Sequence, residues 1–296
     1  NISSTKNQKI ISELIQTEKS YIQDLQSLSK QYIEPLLKDS TILSSDIIEP
    51  FSDNIKSIEQ LQNLVFQNLQ SSLSAEVIVR RVLFHQSNYN FIFAKNPLIT
   101  ICDIFINYSH EFKIYSTYCS FHVRLTRLLQ TNEQFKEFVD KCNPSQQHSS
   151  SFQSYLIKPV QRVLKYSLFL EQLLDFPEKI QSKETFRTQK AVKMMNKISR
   201  YINSMQELAE EFGQTFEYFR RNSNESFDFN LSNLCAYGEI QWINIYRFLS
   251  KKNSANLKSF MFVFRTGCFL LVRDEFSKKN QVKTRMFYRL FPKIVV

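Results

Sequence analysis

The sequence predicts a mainly helical domain followed by an antiparallel β domain, and two observations carry that prediction. All three glycines of the 296-residue chain, Gly213, Gly238 and Gly267, lie in its last third. Sheets joined by tight turns draw on glycine for positive φ, so a long stretch without it reads as helix. The second observation is a change of texture near residue 220. Before it, apolar residues recur at spacings of three and four; after it, the polar "RNSNES" leads into "LCAYGEIQWI" and "SFMFVFRTGCFLLV", β-rich runs with a turn expected at Arg265 to Gly267. The division expected is a helical domain over 1–221 and a β domain over 229–296. Because that second domain stops at Val296 without closing strands or helix, it is expected to be incomplete at its C-terminus, and with no initiator methionine the chain is expected to be a fragment of a longer protein.

The elements follow in order. The first helix, over 8–34, has the stripe Ile11, Leu14, Ile15, Tyr21, Ile22 and Leu25. Helical segments are then expected at 46–74, 76–94 and 98–130, with Pro97 ending one and beginning the next, since proline suits a first helical turn. Residues 142–151, "CNPSQQHSSS", are polar and form a connection. The helix after it, over 154–174, has Leu156, Val160, Val163, Leu164, Leu168, Leu170 and Leu174 on its core face. Val192, Met195, Ile198, Ile202, Met205, Phe212, Phe216 and Phe219 repeat at helical spacing and predict one long helix over 185–220.

Composition narrows the function. The formal net charge of +10 permits an acidic partner, whether nucleic acid, anionic membrane or an acidic protein face. Five cysteines without a CxxC pair suggest neither a disulfide framework nor a zinc site, and predict reduced, mostly buried thiols in a cytoplasmic protein. No signal peptide and no apolar run of about 18 residues is present. The four histidines stand apart, and phosphate-binding loops and nucleophile elbows are missing, so covalent catalysis and a bound cofactor are not expected. No zinc finger or RNP pattern supports nucleic-acid binding.

Two places ask for an explanation. Glu18 falls within about 60° of every member of the first apolar stripe, where a leucine belongs. A carboxylate there needs a donor, supplied either inside the domain or by another molecule. The helix at 154–174 carries Lys158, Gln161, Arg162 and Lys165 in quick succession, with Ser154, Gln161 and Lys165 on one flank and Ile157 at its edge. That flank is either a solvated face or a grip on a partner.

The wording of these stretches resembles a known family. "SYLIKPVQRVLKY" (154–166) resembles the third conserved region of Dbl-homology domains, the exchange-factor domains for Rho-family GTPases. "ELIQTEKSYIQDL" (13–25) is similar to their first, and "FKIYSTYCSFH" (112–122) to their second. "NPSQQHSSSFQSYLIKPVQRVLKY" and "AVKMMNKISRYINSMQELAEEFGQTF" further resemble the Tiam/Still life subfamily, whose preferred substrate is Rac. The resemblance implies an elongated helical bundle, the Dbl-homology domain, followed by a pleckstrin-homology (PH) sheet domain. It implies an exchange factor that accelerates GDP/GTP exchange without covalent chemistry, with no cofactor of its own because the partner GTPase carries nucleotide and Mg2+.

Carried over residue by residue, Glu18 matches the first-region glutamate that engages switch I, so its burial would be completed by an external partner. On that reading Glu18→Ala and Asn203→Ala are expected to abolish or sharply reduce exchange and leave helicity and melting unchanged. Lys165 and Asn203 match the residues that engage switch II, and Ile157 the position that packs on the tryptophan distinguishing Rac. His148, Ser154 and Gln161 match further GTPase-binding positions. The chain departs from the family in "KYSLFL", where Ser167 replaces proline and Phe169 a leucine; serine keeps the helix continuous and restores a backbone donor. One extra residue before Asn203 implies an insertion near 176–184. In the PH part, Lys251, Lys252 and Lys258 are placed in a loop between strands, where they form either a solvated charge cluster or the contact by which such domains receive phosphoinositide phosphates; a cytoplasmic protein recruited to the plasma membrane is expected. The competing class is a non-catalytic adaptor that binds a GTPase or another protein without exchange. A basic protein binding nucleic acid or membrane directly would explain the charge but not the motifs.

Overall fold

The structure is a computed structural model and describes residues 2–73, 96–174, 183–222, 231–241, 257–265 and 267–274. It divides into two compact units, Asn1–Glu210 and Glu211–Val296. The division thus falls inside the last helix rather than after it, because the final turns of that helix pack with the sheet that follows.

In the first unit, α1 (Ile2–Leu28) runs through a π-helical turn at Ser29–Ile33 into α2 (Glu34–Lys38). The turn seats Tyr32 in the core, where its hydroxyl donates to the Ser150 carbonyl at 2.7 Å. Helix α3 (Ser45–Leu73) matches the segment expected at 46–74, while the helix expected at 76–94 lies outside the described residues. Helix α4 (Pro97–Asn107) starts as Pro97 predicts, with Asn96 Oδ1 accepting from the Leu98 amide at 2.9 Å.

The single helix expected over 98–130 is two. Helix α4 ends at Asn107, a 3-10 turn follows at Glu111–Ile114, and α5 spans Tyr115–Thr131. No proline or glycine marks the break. The Ser109 hydroxyl donates to the Ile106 carbonyl at 2.8 Å, a local bond that competes with the helical ladder. Helix α6 (Glu133–Cys142) is capped by Asn132, and α7 (Phe152–Gln172) by Ser151 after the polar connection. Helix α7 is continuous through Ser167, as the serine-for-proline exchange predicts. Helix α8 (Lys183–Asn222) is the long helix read from the 185–220 pattern. The core of this unit is one apolar cluster contributed by α1, α3, α4, α5, α7 and the first half of α8.

The second unit holds the end of α8 and a three-stranded antiparallel sheet in the order β1 (Leu234–Ile240), β2 (Leu257–Phe264), β3 (Gly267–Asp274). Phe264 pairs with Gly267 at the expected turn. Phe212 and Phe216 of α8 meet Phe260, Phe262, Phe264 and Phe269 with ring centroids 4.9–5.9 Å apart, mostly edge to face, the preferred arrangement of aromatic quadrupoles.

Candidate functional site

Helices α1 and α7 run antiparallel, and three contacts fix their register. Lys158 Nζ meets Asp24 Oδ1 at 2.7 Å, Arg162 Nη1 donates to Thr17 Oγ1 at 2.9 Å, and Arg162 Nη2 donates to the Leu14 carbonyl at 3.2 Å. Between them lies Glu18, fully buried. Arg162 donates to Glu18 Oε2 through Nε at 3.0 Å and Nη2 at 2.6 Å, and the Tyr166 hydroxyl lies 2.8 Å from the same oxygen.

The expectation that Glu18 awaits an external partner is therefore corrected. Its donors are internal, on α7, and no surface of the side chain is left for another molecule. Burial raises the Glu18 carboxyl above its ordinary value, with the Arg162 charge and the hydrogen bonds from Arg162 and Tyr166 acting the other way. Burial would lower the Arg162 guanidinium, but Tyr166 and Glu18 outweigh it and hold the group above its ordinary value. The predicted unchanged melting of Glu18→Ala falls with the same correction, since the substitution leaves Arg162 buried without its acid.

The pair belongs to a longer buried chain of polar groups. The Tyr166 hydroxyl also lies 2.9 Å from Gln62 Oε1, Gln62 Nε2 donates to the Tyr115 hydroxyl at 2.5 Å, and the Tyr115 and Tyr21 hydroxyls are 3.0 Å apart. Helices α1, α3, α5 and α7 are thereby cross-linked by hydrogen bonds in a site without water competition, which specifies one arrangement of the bundle. The four polar residues of α7 divide accordingly. Lys158 and Arg162 serve α1, whereas Gln161 and Lys165 are exposed.

Gln161 and Lys165 share their flank with half-buried Ser154 and Ile157, all within one helical face at 100° per residue. His148, exposed, sits in the 3-10 turn just before α7, its carbonyl accepting from Ser151 Oγ at 2.8 Å. Leu168, expected in the core, instead lies on this flank and is 55% exposed. The buried side holds Leu156, Val160, Val163 and Leu170 as expected and extends through Tyr155, Arg162, Tyr166 and Phe169, and a helix buried on that arc cannot also bury Leu168. Leu164 and Leu174 are half-buried.

Asn203 is exposed on α8. Asn196 Nδ2 donates to Glu171 Oε1 at 2.8 Å, while α5 carries both Tyr118, donating to the Leu156 carbonyl, and Cys119, whose thiol faces the Ile202 carbonyl. These contacts run α8 antiparallel to α7. Asn203, about 10 Å along its axis from Asn196, and Lys165, about 9 Å from Glu171, stand at one level of the bundle.

The residue that sequence reasoning missed is Glu13. It is exposed on α1, one turn before Thr17 on the flank that Thr17 and Asp24 turn toward α7. Continuing the register from Asp24 against Lys158 and Thr17 against Arg162 brings Glu13 level with Lys165. Its signal in the sequence was its place outside the apolar stripe, which leaves a carboxylate in water rather than in the core. In the second unit, Lys258 corrects another expectation: it lies in β2, paired with Arg273, rather than in a loop. Lys251 and Lys252 lie outside the described residues.

The geometry defines a helical domain with a polar and apolar flank open to a partner, joined in sequence to an antiparallel sheet. A family model for the RhoGEF domain matches residues 10–203. The chain belongs to the RhoGEF domain family. It is 34% identical to protein still life, isoform SIF type 1, of Drosophila melanogaster over 94% of this chain and 13% of that protein. It is 32% identical to the Rho guanine nucleotide exchange factor TIAM2 of Mus musculus over 93% of this chain and 16% of that protein. The chain thus spans less than a fifth of the length of these relatives. Among solved structures, the fold is similar to the DH/PH domains of PDZ-RhoGEF in complex with GTP-gamma-S activated RhoA, with a TM-score of 0.58 at 17% identity, covering 92% of this chain and 74% of that one. The linker-DH/PH domains of p115-RhoGEF give a TM-score of 0.56 at 15% identity, covering 92% and 78%.

Proposed function

We propose that this chain is a guanine nucleotide exchange factor for a Rho-family GTPase, of the Rac type. The observation that carries the reading is the exposed flank of α7 level with the exposed Glu13 and Asn203, on helices cross-linked by a buried hydrogen-bond network. Lys165 and Asn203 engage switch II, and Ile157, with Leu168 beside it, offers apolar contact. Ser154, Gln161 and His148 complete the surface. The α1 carboxylate that engages switch I is Glu13, in the role the sequence assigned to Glu18.

Exchange then follows from linkage. A protein that binds the nucleotide-free GTPase more tightly than the loaded form weakens nucleotide affinity by the same factor. Contacts to Mg2+ and the phosphates supply much of that affinity, so holding the switches away from them speeds release. The nucleotide and Mg2+ belong to the GTPase, and the factor brings no cofactor. The protein acts from the cytoplasm on GTPase at the plasma membrane, and a PH-type phosphoinositide contact through Lys251 and Lys252 belongs to the same proposal.

The test is release of a fluorescent GDP analogue from Rac and from other Rho-family GTPases in parallel. Acceleration confined to Rac supports the full reading, and acceleration on other members alone removes the Rac preference. Binding of a GTPase without acceleration on any member identifies an adaptor and overturns exchange.

A further inference from the structure

Helix α8 presents a second face that the GTPase-binding flank does not use. Phe186, Lys190, Lys193, Lys197 and Arg200 follow one another at spacings of four, three, four and three, within an arc of about 80° at 100° per residue. The stripe is about 21 Å long. All five are exposed, Phe186 to 67% of its surface. A sixth residue joins from another element: Lys113 Nζ lies over the Tyr201 ring at 5.7 Å from its centroid, next to Arg200 in the chain.

Of the acids around the stripe, Asp103, Glu171 and Glu184 are engaged elsewhere, and exposed Glu207 stands two turns beyond Arg200 on the same side of the helix. On one side Asp103 pairs with Arg187 at 3.5 Å, and on the other Glu171 accepts from Asn196. Lys190, Lys193, Lys197 and Arg200 make no ion pair among the described residues, and Arg200 Nε donates only to the Asn196 carbonyl of its own helix at 3.3 Å. A row of cations without counter-charge is costly to keep together and is relieved by an anionic surface. The exposed phenylalanine at the end of the row decides which surface. A duplex nucleic-acid backbone rewards the cations alone, and an acidic peptide rewards the ring only where it brings apolar side chains of its own. An anionic bilayer rewards both, with ammonium and guanidinium groups at the headgroups and the ring in the acyl boundary.

We propose that this face of α8 docks on the headgroup region of an anionic lipid bilayer. The contact is made by the helical unit itself, separate from any lipid contact of the sheet unit, and does not depend on exchange activity.

The experiment is co-sedimentation of the chain with phosphatidylcholine vesicles, with and without about 30 mol % phosphatidylserine, at physiological salt. Lys193→Gln with Lys197→Gln is expected to weaken binding to the anionic vesicles about 25-fold, at about fivefold per charge removed. Phe186→Ala is expected to weaken it further while leaving binding to a DNA duplex unchanged. Circular dichroism of both variants should match the parent, since these side chains are exposed. Unchanged vesicle binding in the lysine variant overturns the proposal. So does equal loss on vesicles and DNA in the lysine variant combined with no effect of Phe186→Ala on either, which makes the stripe a general polyanion surface.

Discussion

Arg162 and Lys165 stand three residues apart on α7 and carry the same charge, yet one is buried against α1 and the other faces solvent. Glu18 and Glu13 repeat the contrast on α1, one fully buried and the other exposed. In each helix the inward group holds the two helices in register, and that register sets where the outward group stands. Similar charge in adjacent turns thus says little about role. What separates the two is whether the opposite helix supplies a partner.

The comparison is tested most severely by removing the inward cation. Arg162→Ala leaves Glu18 buried without its partner and should cost about 3–5 kcal/mol, read as a shift in the urea midpoint of helical unfolding. A loss below about 1 kcal/mol would place the pair in a more hydrated setting than its geometry implies. The outward residues should behave in the opposite way. Lys165→Ala, Asn203→Ala and Glu13→Ala are each expected to slow GDP release by about tenfold or more, with the unfolding midpoint unmoved. If Glu13→Ala exchanges normally, the carboxylate role does not belong to α1's outward flank.

A smaller effect sharpens the outward side alone. Ile157→Leu should alter preference among Rho-family GTPases by about 1–2 kcal/mol, the usual scale for shape changes in apolar contacts. Relative exchange rates on a panel of GTPases measure it, and an unchanged ranking removes Ile157 from selectivity.

The smallest effect concerns the inward side and pH. Burial pushes the Cys102 thiol up to about 11 and the Cys119 thiol up to about 12. Above the free-thiol value of about 8.5, the unfolded chain loses protons that the folded chain keeps. The unfolded state then binds fewer protons than the native one, so stability falls as pH rises through the window from that value to the folded ones. Near pH 9 the loss should amount to a few tenths to about 1 kcal/mol per thiol. Alkylation gives an independent reading: exposed Cys235 should react first, and Cys102 and Cys119 only as the bundle opens.

Much of this was legible beforehand. The absence of glycine before residue 213, the helical stripes and the β-rich runs sufficed for a helical domain followed by a sheet. Three motif stretches in order sufficed for the family. The break between α4 and α5 was not legible, because a serine hydroxyl bonding to its own helix leaves no mark on hydrophobic periodicity. Leu168 was misplaced for a related reason: Leu156, Val160, Val163 and Leu170 are buried as the wheel predicts, but Tyr155, Arg162, Tyr166 and Phe169 extend the buried arc on the side away from Leu168 through aromatic bulk and hydrogen bonds.

The sequence by itself determined the order of a helical domain and a sheet, the family and the position of the candidate flank on α7, since these depend on local periodicity and on residue order. It also exposed Glu18 as a carboxylate in need of a donor. Only the tertiary structure decided that Arg162 is that donor, because a pair separated by 144 residues in the chain is made by the packing of α1 on α7. With Glu18 committed inward, the outward carboxylate on α1 becomes Glu13. The energy of a buried charge depends on what lies across from it, which no single helix contains.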